Sequence, residues 1–131
     1  MKNLYTLFLG ILLISCSTTT IKPLKIGNWG GDHVRLEVTD TSWYIELDCA
    51  HAEVTMPVTL NEGSFEAPAK YYQEYGAPIE DPEMHKAKEA TIKGSLVGNV
   101  LTFTIYVGSE QTNYGTYSVE WNKEPMVYKC A

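Results

Sequence analysis

The stretch ATIKGSLVGNVLTFTIYV, residues 90–107, decides the fold class of this chain. Apolar side chains alternate with small or polar ones before Gly98-Asn99 and again after it, with the two-residue period of a half-buried β-strand. The Gly98-Asn99 pair is typical of a two-residue hairpin turn. The stretch therefore predicts two antiparallel strands that share one buried face.

The same alternation continues in both directions along the chain. It predicts further strands over 33–39, 43–49, 52–60, 64–72, 117–121 and 126–130. Pro57 predicts an edge or a kink within one of them, because proline cannot donate to the ladder. Residues 73–88 break the pattern with a glycine, two prolines and four acids. We expect a long loop there, of the kind that often carries function, with a short helical turn near 81–88.

Seven or eight consecutive strands joined mostly by hairpins predict an all-β fold. We expect a small antiparallel up-and-down barrel of about eight strands, because closure removes the bare sheet edges. A two-sheet β-sandwich is the alternative. The tripeptide Gly27-Asn28-Trp29 resembles the Gly-x-Trp opening of the lipocalins and related calycins, whose tryptophan ring packs across one end of the barrel. That resemblance implies the barrel.

The N-terminal residues predict export. Lys2 precedes an apolar run over 4–14, which is typical of a secretory signal and too short for the roughly 20 residues that span a bilayer. The sequence Leu13-Ile14-Ser15-Cys16 resembles a bacterial lipobox. The resemblance implies cleavage before Cys16 and attachment of lipid there, palmitate included. An ordinary secretory signal with a chance cysteine is the alternative.

The domain organisation follows from this interpretation. We expect a lipoprotein signal peptide over 1–15, a lipidated N-terminus and short linker over 16–24, and a single β domain over 25–131. The expected location is the bacterial cell envelope, with the lipid on Cys16 in the outer membrane and the domain on the periplasmic or surface side.

The charge balance excludes some partners. The formal net charge is −6, and removal of Lys2 with the leader makes it more negative. An acidic domain repels nucleic acid and anionic headgroups. We therefore expect no nucleic-acid partner and no lipid contact beyond the anchor.

The cysteines predict a covalent link. Once Cys16 is assigned to lipid, Cys49 and Cys130 remain. Two cysteines in an exported protein favour a disulfide. A pair of buried free thiols and a metal-binding pair are the alternatives.

Three short motifs resemble those of an uncharacterised family of small bacterial envelope lipoproteins. They are Trp29-Gly30-Gly31-Asp32-His33, Asp48-Cys49-Ala50-His51-Ala52-Glu53 and Lys129-Cys130. The resemblance implies a shared fold unit and a disulfide, and it implies no activity. Ala52 departs from the glycine expected at that position.

A candidate polar site consists of His33, Asp48, His51 and Glu53. His51 and Glu53 are two residues apart and project from one face of a strand. Two histidines and a carboxylate form a common metal-ligand set. The spacing lacks a distinctive metal motif, so we favour histidines that fix strand ends through hydrogen bonds, without metal or cofactor. The chain also lacks a Gly-x-Ser-x-Gly elbow, and enzymatic activity is not favoured.

The function most favoured is a binding or interaction module for an envelope protein or a small ligand. The binding surface would consist of residues 73–88 and tyrosines 71, 72, 75 and 114, because tyrosine is enriched at interfaces. The preference of tyrosine for β-strands is the other explanation of these tyrosines. Three alternatives remain. Residues 115–123 resemble the closing segment of small lipoprotein lysozyme inhibitors. A purely structural envelope protein is the second, and a metal-binding protein or enzyme that uses His33, His51 and Glu53 is the third.

Overall fold

The computed structural model describes residues 20–76 and 80–130. These residues form ten antiparallel strands and one short 3-10 helix at Pro82–His85, without an α-helix. In the described part of the chain, no helix is long and apolar enough to cross a membrane. The predicted lipidation site Cys16 and the predicted signal peptide lie outside the described residues.

The strands are β1 (Ile21–Pro23), β2 (Gly27–Gly31), β3 (Val34–Val38), β4 (Trp43–Leu47), β5 (Ala50–Val54), β6 (Thr59–Asn61), β7 (Ser64–Gln73), β8 (Lys88–Val97), β9 (Val100–Val107) and β10 (Thr112–Trp121).

Eight of the strands close into an up-and-down barrel. Each of β2, β3, β4, β5, β7, β8, β9 and β10 pairs with the next, and β10 pairs with β2 to complete the ring. β6 lies beside β7, and β1 pairs with β6 outside the ring. The predicted barrel of about eight strands is confirmed, and the sandwich alternative is wrong.

Alternation along the strands fills the barrel with side chains. The buried residues form one apolar cluster that includes Leu36, Ile45, Ile92, Phe103 and Ile105. The described residues bury no polar or charged side chain completely. Such packing is typical of an eight-stranded barrel, whose interior is just wide enough for side chains.

The two ends of the barrel carry different loops. The lower end carries the β3–β4 turn at 39–42, the β5–β6 loop at 55–58, the β8–β9 turn at 98–99 and the N-terminal segment 20–26. The upper end carries the β2–β3 and β4–β5 turns, the β7–β8 connection and the β9–β10 turn at 108–111.

Several predicted elements change in the structure. The strand predicted over 52–60 is two strands, β5 and β6, separated at residues 55–58, where Pro57 interrupts the ladder. The strand predicted over 126–130 is absent from the described residues, and that segment makes a single bridge between Met126 and Asp32. The helical turn predicted near 81–88 is present as Pro82–His85.

The N-terminal boundary also differs. β1 lies within the segment predicted to be a linker over 16–24, and Leu24 is buried in the core. The last four residues of that segment therefore belong to the folded domain.

Candidate functional site

The three sequence motifs meet at the upper end of the barrel. Residues 29–33 lie on β2 and the β2–β3 turn, and residues 48–53 lie on the β4–β5 turn and β5. Lys129-Cys130 ends the described chain. The C-terminal tail, residues 122–130, turns at Asn122, where φ is 60°, and runs back to reach both turns. We call this meeting point the tail latch.

Asp48 is the centre of the tail latch. Its Oδ2 lies 2.7 Å from Nδ1 of His33, and its Oδ1 accepts a 2.8 Å hydrogen bond from the amide of Tyr128. The His33 amide donates to the carbonyl of Met126 at 2.7 Å, and the Met126 amide donates to Gly31 at 3.1 Å. One carboxylate therefore holds the β2–β3 turn and the tail together.

The disulfide fastens the end of the tail. Cys49 and Cys130 are bonded, with their Cα atoms 5.2 Å apart. This confirms the predicted pairing and excludes the free-thiol and metal-pair alternatives for these two cysteines. The carbonyl of Cys49 also accepts hydrogen bonds from the Glu74 amide at 2.9 Å and from Nε2 of Gln73 at 2.7 Å. The β4–β5 turn is thereby held on both sides.

Lys129 adds an ionic contact to the same latch. Its Nζ donates to the carbonyl of Leu47 at 2.9 Å and to Oε2 of Glu74 at 2.7 Å. It also lies 3.6 Å from Oε1 of Glu46. The lysine in the Lys-Cys ending therefore joins the tail to β4 and to the start of the β7–β8 connection.

Gly30 and Gly31 explain the glycine pair of the first motif. A Cβ on Gly30 would collide with the carbonyl of Lys123, and a Cβ on Gly31 would collide with the carbonyl of Ser118. The tail passes over the first glycine and β10 passes against the second. Both positions therefore require glycine for space.

His51 lies on the outer wall of the barrel, beside the Glu74 carboxylate that pairs with Lys129. Its ring stacks between Tyr44 and Tyr72, with centroid distances of 5.5 Å and 4.7 Å. Its Nδ1 is buried without a hydrogen bond and lies 3.7 Å from Oε2 of Glu74. Burial, with the negative charges of Glu74 and Glu46, raises the pKa of Tyr44.

The predicted polar site therefore divides. His33 and Asp48 form one contact, His51 lies in an aromatic stack, and Glu53 lies opposite Tyr44 and Lys70 on β4 and β7. Over residues 20–76 and 80–130, no three His, Cys, Asp or Glu side chains are placed to hold a metal ion. For His33, the structure agrees with the interpretation of a histidine that fixes a strand end. His51 differs from that interpretation, because its ring is stacked between two tyrosines and its buried Nδ1 makes no hydrogen bond.

Tyrosines surround the upper opening of the barrel. Tyr71 is buried and meets Tyr114 edge-on at 5.1 Å, and burial raises the pKa of both Tyr71 and Tyr117. Among the four tyrosines predicted as an interface, Tyr75 and Tyr114 are exposed, Tyr72 is half-buried, and Tyr71 belongs to the core. Tyr71 is in phase with the inward residues of β7, which is the signal that places it inside.

Tyr128 is a further aromatic residue at this end, and the sequence did not predict it as part of an interface. Tyr128 is exposed and its ring lies 5.7 Å from that of His33. A groove of about 360 Å³ runs from His33 along β10, lined by Tyr117 and Ser118 among others. The position of the tail creates both features, and no local pattern in residues 122–130 reveals it.

Comparison of the chain with protein-family models, with curated proteins and with solved structures finds no match. The site must therefore be interpreted from its own geometry. The C-terminal tail is held at the upper end of the barrel, and exposed tyrosines lie beside it.

Proposed function

We propose that this protein is a lipid-anchored protein of the bacterial envelope, and that its barrel is a binding module for another envelope protein or a small ligand. One observation carries the proposal. β1, which begins five residues after Cys16, lies at the lower end of the barrel, whereas the exposed tyrosines lie at the upper end. An anchored protein with this arrangement directs its exposed tyrosines away from the membrane.

The exposed side chains at the upper end of the barrel support binding. They are Tyr75, Tyr114, Tyr128, Met84 and Met126, and we call these five residues the upper rim. Tyrosine and methionine are both enriched at protein interfaces. Tyrosine offers a large contact area at modest cost in conformational entropy. The upper end is also acidic, since Glu74, Glu80, Asp81 and Glu83 lie in the β7–β8 connection.

The tail latch supports the proposal in two ways. A disulfide is typical of proteins in oxidising compartments outside the cytoplasm. It also fixes Tyr128 in place, so that less conformational entropy is lost when a partner binds. The rim is therefore organised before it meets a ligand.

The anchor is tested by labelling. Cells that produce the full chain are fed an alkyne-bearing palmitate, and the purified protein is analysed by intact mass. We expect label and lipid on the wild type and none on Cys16→Ser. An unlabelled wild type of full or leader-cleaved mass would contradict the anchor.

The binding module is tested by photo-crosslinking in the organism that encodes the chain. A photoreactive amino acid replaces Tyr114 at the upper rim and, as the matched control, Glu66 on the outer wall, which is also exposed. We expect one defined adduct from the rim position and none from the wall. Equal or absent adducts at both positions would contradict a partner at the rim. An adduct whose mass includes a lysozyme would favour the inhibitor alternative.

A further inference from the structure

Apolar side chains surround the lower end of the barrel. Ile21, Ile26, Met56, Val97 and Trp121 each expose between 41 % and 75 % of their surface. They lie on β1, before β2, in the β5–β6 loop, at the end of β8 and at the end of β10, so they surround the lower opening. We call these five residues the lower rim.

An apolar groove continues the lower rim into the core. It has a volume of about 570 Å³, and Leu24, Val38, Trp43 and Val58 form its buried part. Ile26 of the lower rim is also part of its lining. Exposed apolar side chains grouped around an apolar groove on a small domain mark a contact with a partner or a membrane.

The chain that precedes β1 limits where this surface can lie. Only residues 17–20 separate Cys16 from Ile21, and five extended residues reach about 17 Å. The carbonyl of Thr20 accepts a hydrogen bond from the amide of Glu62 at the lower end, so the tether leaves from this end. If Cys16 carries lipid, as proposed above, Ile21 of the lower rim lies within that distance of the bilayer surface, and the lower end of the barrel faces it.

We infer that the lower rim seats the barrel on the membrane, with its apolar residues in the interface of a zwitterionic phospholipid bilayer. This inference rests on the proposed lipid anchor. It revises the expectation of no lipid contact beyond the anchor, which followed from net charge alone. The contact is apolar and does not depend on attraction to anionic headgroups.

The chemistry of the lower rim fits an interface. Tryptophan is enriched where membrane meets water, since its ring is apolar and its indole N–H remains able to bond. Nε1 of Trp121 donates to the carbonyl of Ile26 at 3.3 Å, and Nζ of Lys25 lies 3.3 Å from the centre of its ring. This is a cation–π contact, in which the ammonium lies on the face of the ring. Lysine suits an interface, because its long stem lets the ammonium stay in the headgroup layer.

Quenching by brominated lipid tests the inference. The full chain is produced with its own leader, its lipid is verified by intact mass, and it is reconstituted in phosphatidylcholine vesicles with brominated acyl chains. We expect strong quenching of tryptophan emission, most of which is lost in Trp121→Phe. The matched control is Tyr114→Trp in the Trp121→Phe background, which places a reporter at the upper rim and should add unquenched emission.

A second pair of variants tests the lower rim itself. Ile26→Asp combined with Val97→Asp replaces two exposed apolar side chains and should reduce quenching of Trp121 by at least half. Tyr75→Asp combined with Met84→Asp, at the upper end, should leave that quenching unchanged.

The outcomes separate the inference from the anchor. If the protein carries lipid but Trp121 emission is quenched no more than that of the upper-rim reporter, the membrane contact of the lower rim is overturned. The proposed anchor is then left intact. Equal effects of the two aspartate pairs would also overturn that membrane contact. A protein without lipid would overturn both proposals, because the tether on which the seat depends would be absent.

Discussion

Asp48 contacts His33 across the upper end of the barrel, with Nδ1 of His33 2.7 Å from Oδ2 of Asp48. The two residues are fifteen positions apart, on turns that join different strand pairs. The second carboxylate oxygen of Asp48 binds the amide of Tyr128 in the tail. Two of the three sequence motifs and the tail therefore meet at one side chain, whose role is to fix the chain in place.

Asp48→Ala should destabilise the protein by about 1–2 kcal/mol, because it removes a charged contact and a hydrogen bond to the tail. His33 is more than half exposed, so the ionic part of the loss is small. Urea denaturation gives the free energy of unfolding. Asp40→Ala, at an exposed acid of the lower end, is the control and should change it little. Equal effects of the two variants would contradict the central role of Asp48.

Gly30→Ala should destabilise by about 3 kcal/mol, because its Cβ would displace the Lys123 carbonyl and the tail above it. Gly108→Ala is the control. That glycine has φ of 78° and open space around it, so alanine there adds only backbone strain of about 1 kcal/mol. Thermal unfolding of both variants compares the two costs. A smaller loss at Gly30 than at Gly108 would show that the tail does not pack as described.

Much of the barrel could be predicted from the sequence because the buried strands alternate strongly. β3, β4, β7, β8 and β9 each carry at least three inward residues at a period of two. β2 was not predicted as a strand, because Trp29 is its only large apolar residue and glycines follow it. The polar first half of β10 was missed for the same reason.

The candidate site could be predicted only in part. The pairing of Cys49 with Cys130 followed from counting cysteines. The contact between His33 and Asp48 depends on the register of β3 against β4, in which Val34 lies opposite Leu47. Such a register is set by the whole sheet, and the two histidines, which look equivalent in sequence, have different environments for this reason.

Replacing both Cys49 and Cys130 with alanine should cost about 4 kcal/mol, since the bond closes a loop with a sequence separation of 81. The unfolded chain gains the conformational freedom that the bond had removed. Urea denaturation of the variant and of the oxidised wild type measures the difference. The wild type under reducing conditions should approach the variant, and an unchanged unfolding midpoint in both would contradict the prediction.

Purified protein should contain no stoichiometric zinc or copper, because His33 and His51 lie in separate environments. Elemental analysis of the full chain by plasma mass spectrometry measures this. The His51→Ala variant should retain the same low metal content and lose about 1 kcal/mol of stability with its two ring contacts. One equivalent of metal that disappears in His51→Ala would restore the metal-site alternative.

The protein should lose stability as the pH rises above about 10, through Tyr71 and Tyr117. Burial favours the neutral phenol and raises the pKa of both tyrosines, and the Asp48 charge raises the pKa of Tyr117 further. A pKa that is higher in the folded chain contributes stability below the unfolded value near 10 and loses it as the pH rises through the folded value. Free energies of unfolding measured from pH 8 to pH 11.5 should therefore fall less steeply for Tyr71→Phe with Tyr117→Phe than for the wild type. Tyr75→Phe, at an exposed tyrosine of the upper rim, is the matched control, and the same slope in all three proteins would contradict the prediction.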